Sequence, residues 1–166
     1  MRNKIKTLEE LKKIVEEHKK NGKKIITTSG SFDLLHIGHV YILESAKALT
    51  DILIIFLNSD SSIKGLKGPN RPIVPEKERA EMLSALECVD YITIFEENNP
   101  LNLIKEIKPD SHIKGGSFDP ERVRAEKELI ESWGGKHITL PIVEGYSTTN
   151  LIDSILRNYD KNIDKK

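Results

Sequence analysis

Two histidines lie three residues apart in the segment GSFDLLHIGH, residues 30–39. The segment follows a short apolar, strand-like run and leads into residues with the apolar period of a helix. On the first turn of that helix, His36 and His39 would share a face. A helix N-terminus attracts anions through its amide groups and its dipole, so imidazole donors beside it favour a phosphate pocket. Gly38 would leave room for a ligand that lies across the start of the helix.

A run of three hydroxyl side chains follows Gly145, shortly after the last strand-like segment. Ser147, Thr148 and Thr149 suit the N-cap of the helix that comes after them. The same hydroxyl and amide groups favour phosphate binding. We therefore expect this short run both to begin a helix and to contact an anionic ligand.

Lysines between glycines mark a third candidate segment. The Gly, Pro and Ser residues of 59–74 predict a long polar loop. Lys64 and Lys67 in this loop suit a lid that closes over a triphosphate, and the alternative is a solvated charged loop. Arg71 and Arg79 are further cationic candidates. Because Arg79 falls in a predicted helix, its alternative role is a surface salt bridge.

Strand-like and helix-like segments alternate along the chain. This alternation predicts an α/β fold, namely a Rossmann-like open five-stranded parallel sheet with helices on both faces. Ligands bind such sheets outside the carboxyl ends of the strands, and the candidate residues follow the predicted strands. The predicted strands are 23–28, 51–59, 91–95, 111–115 and 137–141, and the predicted helices are 7–20, 39–50, 75–88, 100–108, 119–133 and 148–159.

Length and composition restrict the classes of function. A chain of 166 residues suggests one domain. The 26 Lys and Arg residues balance the 26 Asp and Glu residues, so no excess of positive charge indicates binding of nucleic acid. The single cysteine, Cys88, excludes an intramolecular disulfide and a multi-cysteine zinc site. No apolar run reaches the roughly 18–20 residues of a membrane span, and the first residues lack a signal peptide, so we expect a soluble cytoplasmic protein.

The pattern T-x-G-x-FD-x-LH-x-GH at 28–39 resembles the signature of the HxGH nucleotidyltransferase superfamily. Its members attack the α-phosphorus of a nucleoside triphosphate and release pyrophosphate. From about Lys24 to Ile155, the chain is similar to the adenylyltransferase domain of the bifunctional ADP-heptose synthases. The motifs NSD, LKGPNRP, ALE-x-VD, IKPD-x-x-x-KGG and EG-x-STTN occur in that family's order.

The resemblance implies a reaction between ATP and D-glycero-D-manno-heptose 1-phosphate that gives ADP-heptose. Mg²⁺ would be bound mainly through the triphosphate, with no metal-ligating residues. A sugar phosphate has a second pKa of about 6 and is already an anion at neutral pH, so it needs no general base. His36, His39 and Lys67 would instead stabilise charge as the catalytic residues.

The resemblance also implies an organisation and partners. We expect an N-terminal helix in 1–22, the nucleotidyltransferase domain in 23–160 and a frayed tail in 161–166. The bifunctional enzymes carry a sugar kinase domain, which we expect here to be a separate protein. Homodimers are common in the family, and neither nucleic acid nor membrane is an expected partner.

Further residues receive binding roles from the motifs that contain them. Asp33 has alternatives, because its carboxylate suits Mg²⁺ or substrate and also suits capping of the turn, and the structural role is slightly favoured. The expected nucleotide-binding residues are Ser31, Phe32, Asp33, Gly38, His39, Lys64, Arg71, Lys114, Gly115, Gly116, Tyr146, Ser147, Thr148 and Thr149. The expected substrate-binding residues are Asp33, Asn58, Asp60 and Ser117.

Two departures from related motifs bear on specificity. Ser117 stands where the heptose enzymes have an aspartate after KGG, and Ile142 stands where the cytidylyltransferases have an arginine. The second departure favours ATP over CTP. A cytidylyltransferase acting on glycerol 3-phosphate or a related polyol phosphate stays an alternative, as does a non-catalytic nucleotide-binding regulator. His18, His112 and His137 belong to no motif and are expected to be non-catalytic.

Overall fold

Five parallel strands form one open sheet in the computed structural model, which describes residues 2–115, 120–141 and 143–163. The strands are β1 (Ile25–Gly30), β2 (Ile52–Asn58), β3 (Tyr91–Phe95), β4 (Ser111–Gly115) and β5 (Lys136–Leu140). Their order across the sheet is β3-β2-β1-β4-β5, which confirms the predicted Rossmann-like architecture. From β1 the chain adds β2 and β3 on one side of the sheet and then β4 and β5 on the other side. Ligand crevices form where the strand order reverses in this way, here between β1 and β4.

Helices connect the strands as the alternation predicts. They are α1 (Leu8–Lys20), α2 (Ile37–Lys47), α3 (Asp60–Lys67), α4 (Glu76–Ser84), α5 (Leu101–Ile107), α6 (Pro120–Glu131) and α7 (Thr148–Ile163). A capping box begins α1, since Thr7 accepts from the Glu10 backbone and donates its own amide to the Glu10 side chain. None of the described helices combines the length and the apolar character that a membrane span requires.

The prediction of a loop at 59–74 is wrong over its first half, because α3 forms there. The helix has only eight residues and contains Gly65, so its intrinsic propensity is weak. Tertiary contacts compensate for this weakness. The Ser59 hydroxyl caps the helix, the Ser62 hydroxyl bonds to Asn58 and to the Glu97 carbonyl, and the Ile63 side chain is fully buried.

The core lies on both faces of the sheet. Every residue of β2 is buried, which explains why that strand is a continuous apolar run. Leu53 and Leu57 pack with Leu43 of α2 on one face. On the other face, Ile54 packs in the same cluster as Leu11 of α1, so the N-terminal helix shares the core of the sheet.

Two carboxylates hold the amino ends of the central strands. Asp90 accepts from the Leu53 amide at 2.7 Å, and Asp110 accepts from the Ile25 amide at 2.8 Å. In the parallel register, Thr28 of β1 lies beside Ile113 of β4. The carboxyl ends of these two strands therefore lie side by side, and the loops that leave them carry the candidate residues.

Candidate active site

Two adjoining cavities open at the carboxyl ends of β1 and β4. The histidine cavity, of about 360 Å³, is lined by His36, Gly38, His39, Ile42, Lys67, Arg71, Gly115, Val143, Tyr146, Ser147, Thr148 and Thr149. The sheet cavity, of about 400 Å³, is lined by Thr28, Ser29, Gly30, Ser31, Phe32, Asp33, His39, Ile42, Asn58, Leu66, Lys67, Lys114, Gly115 and Thr148. Because five residues line both, the two cavities are parts of one cleft.

The two histidines of the motif form a stacked pair at the start of α2. Their ring centroids are 3.8 Å apart and their planes differ by 23°. Phe32 supports His39 at a centroid distance of 5.1 Å. A Cβ atom on Gly38 would lie 3.0 Å from the His36 ring, so a larger residue there would press on the stack. Among the described residues, neither buried Nδ1 atom has a hydrogen-bond partner, which suits two groups that await a ligand or water.

Burial keeps both rings uncharged in the free protein. It lowers the pKa of His39 to about 4, with smaller contributions from the nearby His36 and Lys67. Burial also lowers the pKa of His36. A neutral imidazole still donates one hydrogen bond, and an arriving anion would favour its protonated form.

The N-terminus of α7 forms the opposite wall of the histidine cavity. The Ser147 hydroxyl accepts from the Asn150 amide at 3.0 Å, which confirms the predicted N-cap. A Cβ on Gly38 would lie 3.5 Å from Cβ of Tyr146, so the segment before α7 closely approaches α2. The N-termini of two helices therefore border the same cavity, and both favour negative charge.

Lys67 lies where the two cavities meet, and it lines both. It belongs to the last turn of α3 and not to a flexible loop, so its backbone is held by the helix. Lys64, one turn earlier, is exposed and lies outside the lining of both cavities. The structure thus brings one of the two predicted lysines to the cleft.

Asp33 anchors the segment that follows α3. Its carboxylate accepts from the amides of Ile73 and Val74 at 2.8 and 2.9 Å and from Nε of Arg71 at 2.7 Å. Burial opposes ionisation of Asp33, but these hydrogen bonds hold its pKa below the usual value. Of the alternatives for Asp33, the described contacts are those of a structural anchor, and the anchor places Arg71 at the histidine cavity.

The alternative that Arg79 forms a salt bridge on the surface is wrong, because its side chain is fully buried. Its guanidinium donates to the carbonyls of Ser31, Asn58 and Val74 at 2.5, 2.9 and 2.9 Å. It also pairs with the Asp60 carboxylate at 2.8 Å. A signal was present in the sequence, since residue 79 shares the inward face of α4 with Leu83, four residues later.

The remaining predicted residues have varied positions. Ser31, Phe32, Asn58, Lys114 and Gly115 line the sheet cavity, whereas Asp60 is held away from it by Arg79 and by a bond from its amide to Glu76. A Cβ on Gly115 would clash with the Ile42 side chain, so β4 and α2 touch there. Gly116, Ser117 and Ile142 lie outside the described residues.

Replacement of Arg79 tests its role as an anchor. Arg79→Met removes the donors to three carbonyls and leaves Asp60 without its cation, so we expect a loss of at least about 3 kcal/mol in the free energy of unfolding. Urea denaturation measures this loss. Arg124→Met is the matched control, because Arg124 is exposed and its pairing with Glu128 spans 3.8 Å. Equal stability of the two variants would contradict the anchor.

The pKa of His39 predicts a pH dependence with a definite sign. The folded value of about 4 lies below the ordinary 6.5, so the unfolded state binds more protons in between. Stability should therefore fall as the pH drops from about 6.5 towards 4. ¹⁵N NMR should show His39 neutral at pH 5.5, with the His39→Asn variant identifying its signal. A titration midpoint near 6.5 would contradict the burial argument.

Comparison with known proteins adds evidence on ancestry. A family model described as cytidylyltransferase-like matches residues 27–154. The bifunctional protein HldE of Geobacter metallireducens is 51% identical over 156 residues, which are 94% of this chain and 32% of that protein. HldE of Syntrophotalea carbinolica is 46% identical over 159 residues, which are 96% of this chain and 32% of that protein. The chain thus spans about a third of the length of these curated relatives.

Solved structures share the fold. A lipopolysaccharide core biosynthesis protein from Thermoplasma volcanium is 27% identical with a TM-score of 0.60, over 75% of this chain and 99% of that one. Pantoate-beta-alanine ligase from Francisella tularensis is 17% identical with the same TM-score of 0.60, over 92% of this chain and 78% of that one. At this low identity the likeness shows the fold alone. The family model covers most of the chain and includes the whole histidine motif. On this evidence the chain belongs to the cytidylyltransferase-like family, which confirms the nucleotidyltransferase fold indicated by its motifs.

Proposed function

We propose that this domain is an adenylyltransferase that joins ATP to a sugar 1-phosphate and releases pyrophosphate. One observation carries the proposal: the stacked neutral histidines, Lys67 and the N-termini of α2 and α7 surround a single cavity. Such an arrangement suits a ligand with several negative charges. Few other ligands need as many anion-binding groups at one place as a nucleoside triphosphate does.

The acceptor we propose is D-glycero-D-manno-heptose 1-phosphate, which would make the product ADP-heptose. The motifs LKGPNRP, KPD-x-x-x-KGG and EG-x-STTN support this choice by their resemblance to the heptose enzymes. The identity with two proteins named HldE over nearly the whole chain supports it further. The description of the Thermoplasma volcanium protein as one of lipopolysaccharide core biosynthesis agrees with a sugar nucleotide as product.

The proposed reaction is a single displacement at phosphorus. An oxygen of the sugar phosphate bonds to the α-phosphorus of ATP, and the bond to the bridging α–β oxygen breaks. Pyrophosphate leaves with that electron pair. The nucleophile is already ionised at neutral pH, so neither histidine acts as a base. His36, His39 and Lys67 act instead as donors to the phosphate oxygens, on which negative charge accumulates.

Mg²⁺ would enter with the triphosphate. Asp33 is the one carboxylate among the described residues that line the cleft, and both of its oxygens already accept hydrogen bonds. The described residues also contain no cluster of three or more His, Cys, Asp or Glu side chains suited to a metal. The cation would therefore be held by phosphate oxygens and would neutralise part of their charge. The protein contributes the donors around that complex.

A kinetic comparison tests the proposed substrates. Purified protein is assayed for pyrophosphate release with D-glycero-D-manno-heptose 1-phosphate and either ATP or CTP. We expect at least a tenfold higher kcat/KM with ATP, which requires only about 1.4 kcal/mol of differential transition-state binding. A preference for CTP, with glycerol 3-phosphate as acceptor, would instead favour the cytidylyltransferase alternative. Binding of ATP without turnover of any acceptor would favour a nucleotide-binding regulator.

Replacement of His39 tests the mechanism. His39→Ala removes one preorganised donor, so we expect kcat to fall by about 10²–10³-fold. Because both histidines face the cleft, the variant should stay folded in circular dichroism. His18→Ala is the matched control, since His18 lies far from the cleft and contacts the Tyr91 hydroxyl at 3.1 Å. Unchanged kcat in a folded His39→Ala protein would exclude the proposed role of the pair.

A further inference from the structure

A cluster of buried polar side chains lies beneath the sheet cavity. Thr28 of β1 is the register partner of Ile113 of β4, so the next residues, Ser29 and Lys114, both point to the opposite side of the sheet. The Lys114 ammonium donates to the Ser29 hydroxyl at 2.7 Å and pairs with the Glu126 carboxylate of α6 at 3.1 Å. Lys114 is 7% exposed and Glu126 is fully buried. An ion pair thus joins α6 to the wall of the cleft.

Two histidines hold the other side of the Glu126 carboxylate. Nε2 of His112 and Nε2 of His137 each lie 3.7 Å from the same oxygen, Oε2. Nδ1 of His112 lies 2.7 Å from the Thr27 hydroxyl. With that hydroxyl as donor, the His112 ring proton is on Nε2 and faces the carboxylate. The carboxylate therefore has cationic or polar neighbours from β4 and β5.

These groups ensure that Glu126 is charged. Burial opposes its ionisation, but His137, Lys114 and His112 lower its pKa to about 2. A fixed anion beneath the cavity restrains the ammonium that lies above it. Burial of an ion pair costs several kcal/mol per ion before any attraction is counted, so apolar side chains would fill this space at least as well. The arrangement is therefore poorly explained by stability alone.

The cluster meets the cleft at one place, where Ser29 and Lys114 line the sheet cavity. That cavity shares His39 and Lys67 with the histidine cavity, so an anion bound there would lie beside a triphosphate. The acceptor must approach the α-phosphorus from such a neighbouring position. A restrained lysine at this point would hold a negatively charged acceptor against the repulsion of the triphosphate.

We propose that Lys114, which the sequence motif assigns to the nucleotide, instead binds the acceptor's phosphate in the sheet cavity. Glu126, supported by His112 and His137, is the positioning residue that holds the ammonium there. The inference rests on the proposed function for the identity of the acceptor. The binding of a phosphate group is testable without turnover. In this proposal His112 and His137 act through Glu126 and do not themselves bind the acceptor.

A site-resolved titration with inorganic phosphate tests the proposal. In ¹H–¹⁵N NMR spectra of the full chain, phosphate should shift the amide signals of Ser29 and Gly115. Glu126→Gln and Lys114→Met should each weaken the affinity derived from these signals by about tenfold or more, the size expected for a hydrogen bond to a charged group. Glu128→Gln and Lys105→Met are the matched controls, because both side chains are exposed, and they should bind phosphate as the wild type does.

A double variant separates positioning from stability. Each single variant leaves one buried charge without its partner and should unfold at lower urea concentration. Lys114→Met combined with Glu126→Gln removes both charges, so stability should recover while phosphate affinity stays low. The proposal would be overturned if phosphate left the Ser29 and Gly115 amide signals of the wild-type protein unshifted. Equal affinity in wild type and Glu126→Gln, or wild-type affinity in the double variant, would overturn it as well.

The same proteins distinguish this inference from the proposed function. If the wild type binds phosphate at Ser29 and Gly115 but converts neither ATP nor CTP with the heptose phosphate, the adenylyltransferase assignment fails and the Lys114 site stands. If turnover occurs and Glu126→Gln leaves the KM for the acceptor unchanged, the assignment stands and the positioning role fails. A rise in that KM with little change in the KM for ATP supports both.

Discussion

The cleft depends on one buried guanidinium, that of Arg79. It binds the carbonyls of Ser31, Asn58 and Val74, which belong to the loop after β1, the end of β2 and the segment before α4. These three segments come from distant parts of the chain and have no continuous secondary structure in common. A planar group with five donors can satisfy several carbonyls at once. The position of the histidine motif relative to α3 follows from this shared anchor.

The described cleft contains little fixed charge before a ligand arrives. The two stacked histidines are neutral, Asp33 is paired with Arg71, and Lys114 is paired with Glu126. The N-termini of α2 and α7 add an attraction for anions that does not depend on a side-chain charge. Fixed dipoles of this kind need no rearrangement when charge develops during a reaction.

Local patterns in the sequence predicted most of the fold and much of the cleft. The continuous apolar run of β2, the capping box of α1 and the N-cap at Ser147 are short-range features, so each could be identified from neighbouring residues. Features that depend on distant residues were missed or misplaced. The helix α3 is stabilised by Asn58 and Glu97, and no pattern inside its eight residues shows this. The burial of Arg79 and the neighbours of Glu126 likewise become visible only when separate strands and helices are brought together.

The close packing of Gly38 against His36 has a consequence for how such a domain can diverge. A side chain at position 38 would push the His36 ring by a few tenths of an ångström, since its Cβ would lie 3.0 Å from that ring. The two positions are therefore not free to change independently, although neither contributes much to the core of the sheet. A substitution at residue 38 would therefore shift the His36 ring relative to His39 while leaving both histidines and the fold in place. The presence of two histidines three residues apart is then insufficient evidence for an intact stack unless the residue between them leaves room for the first ring.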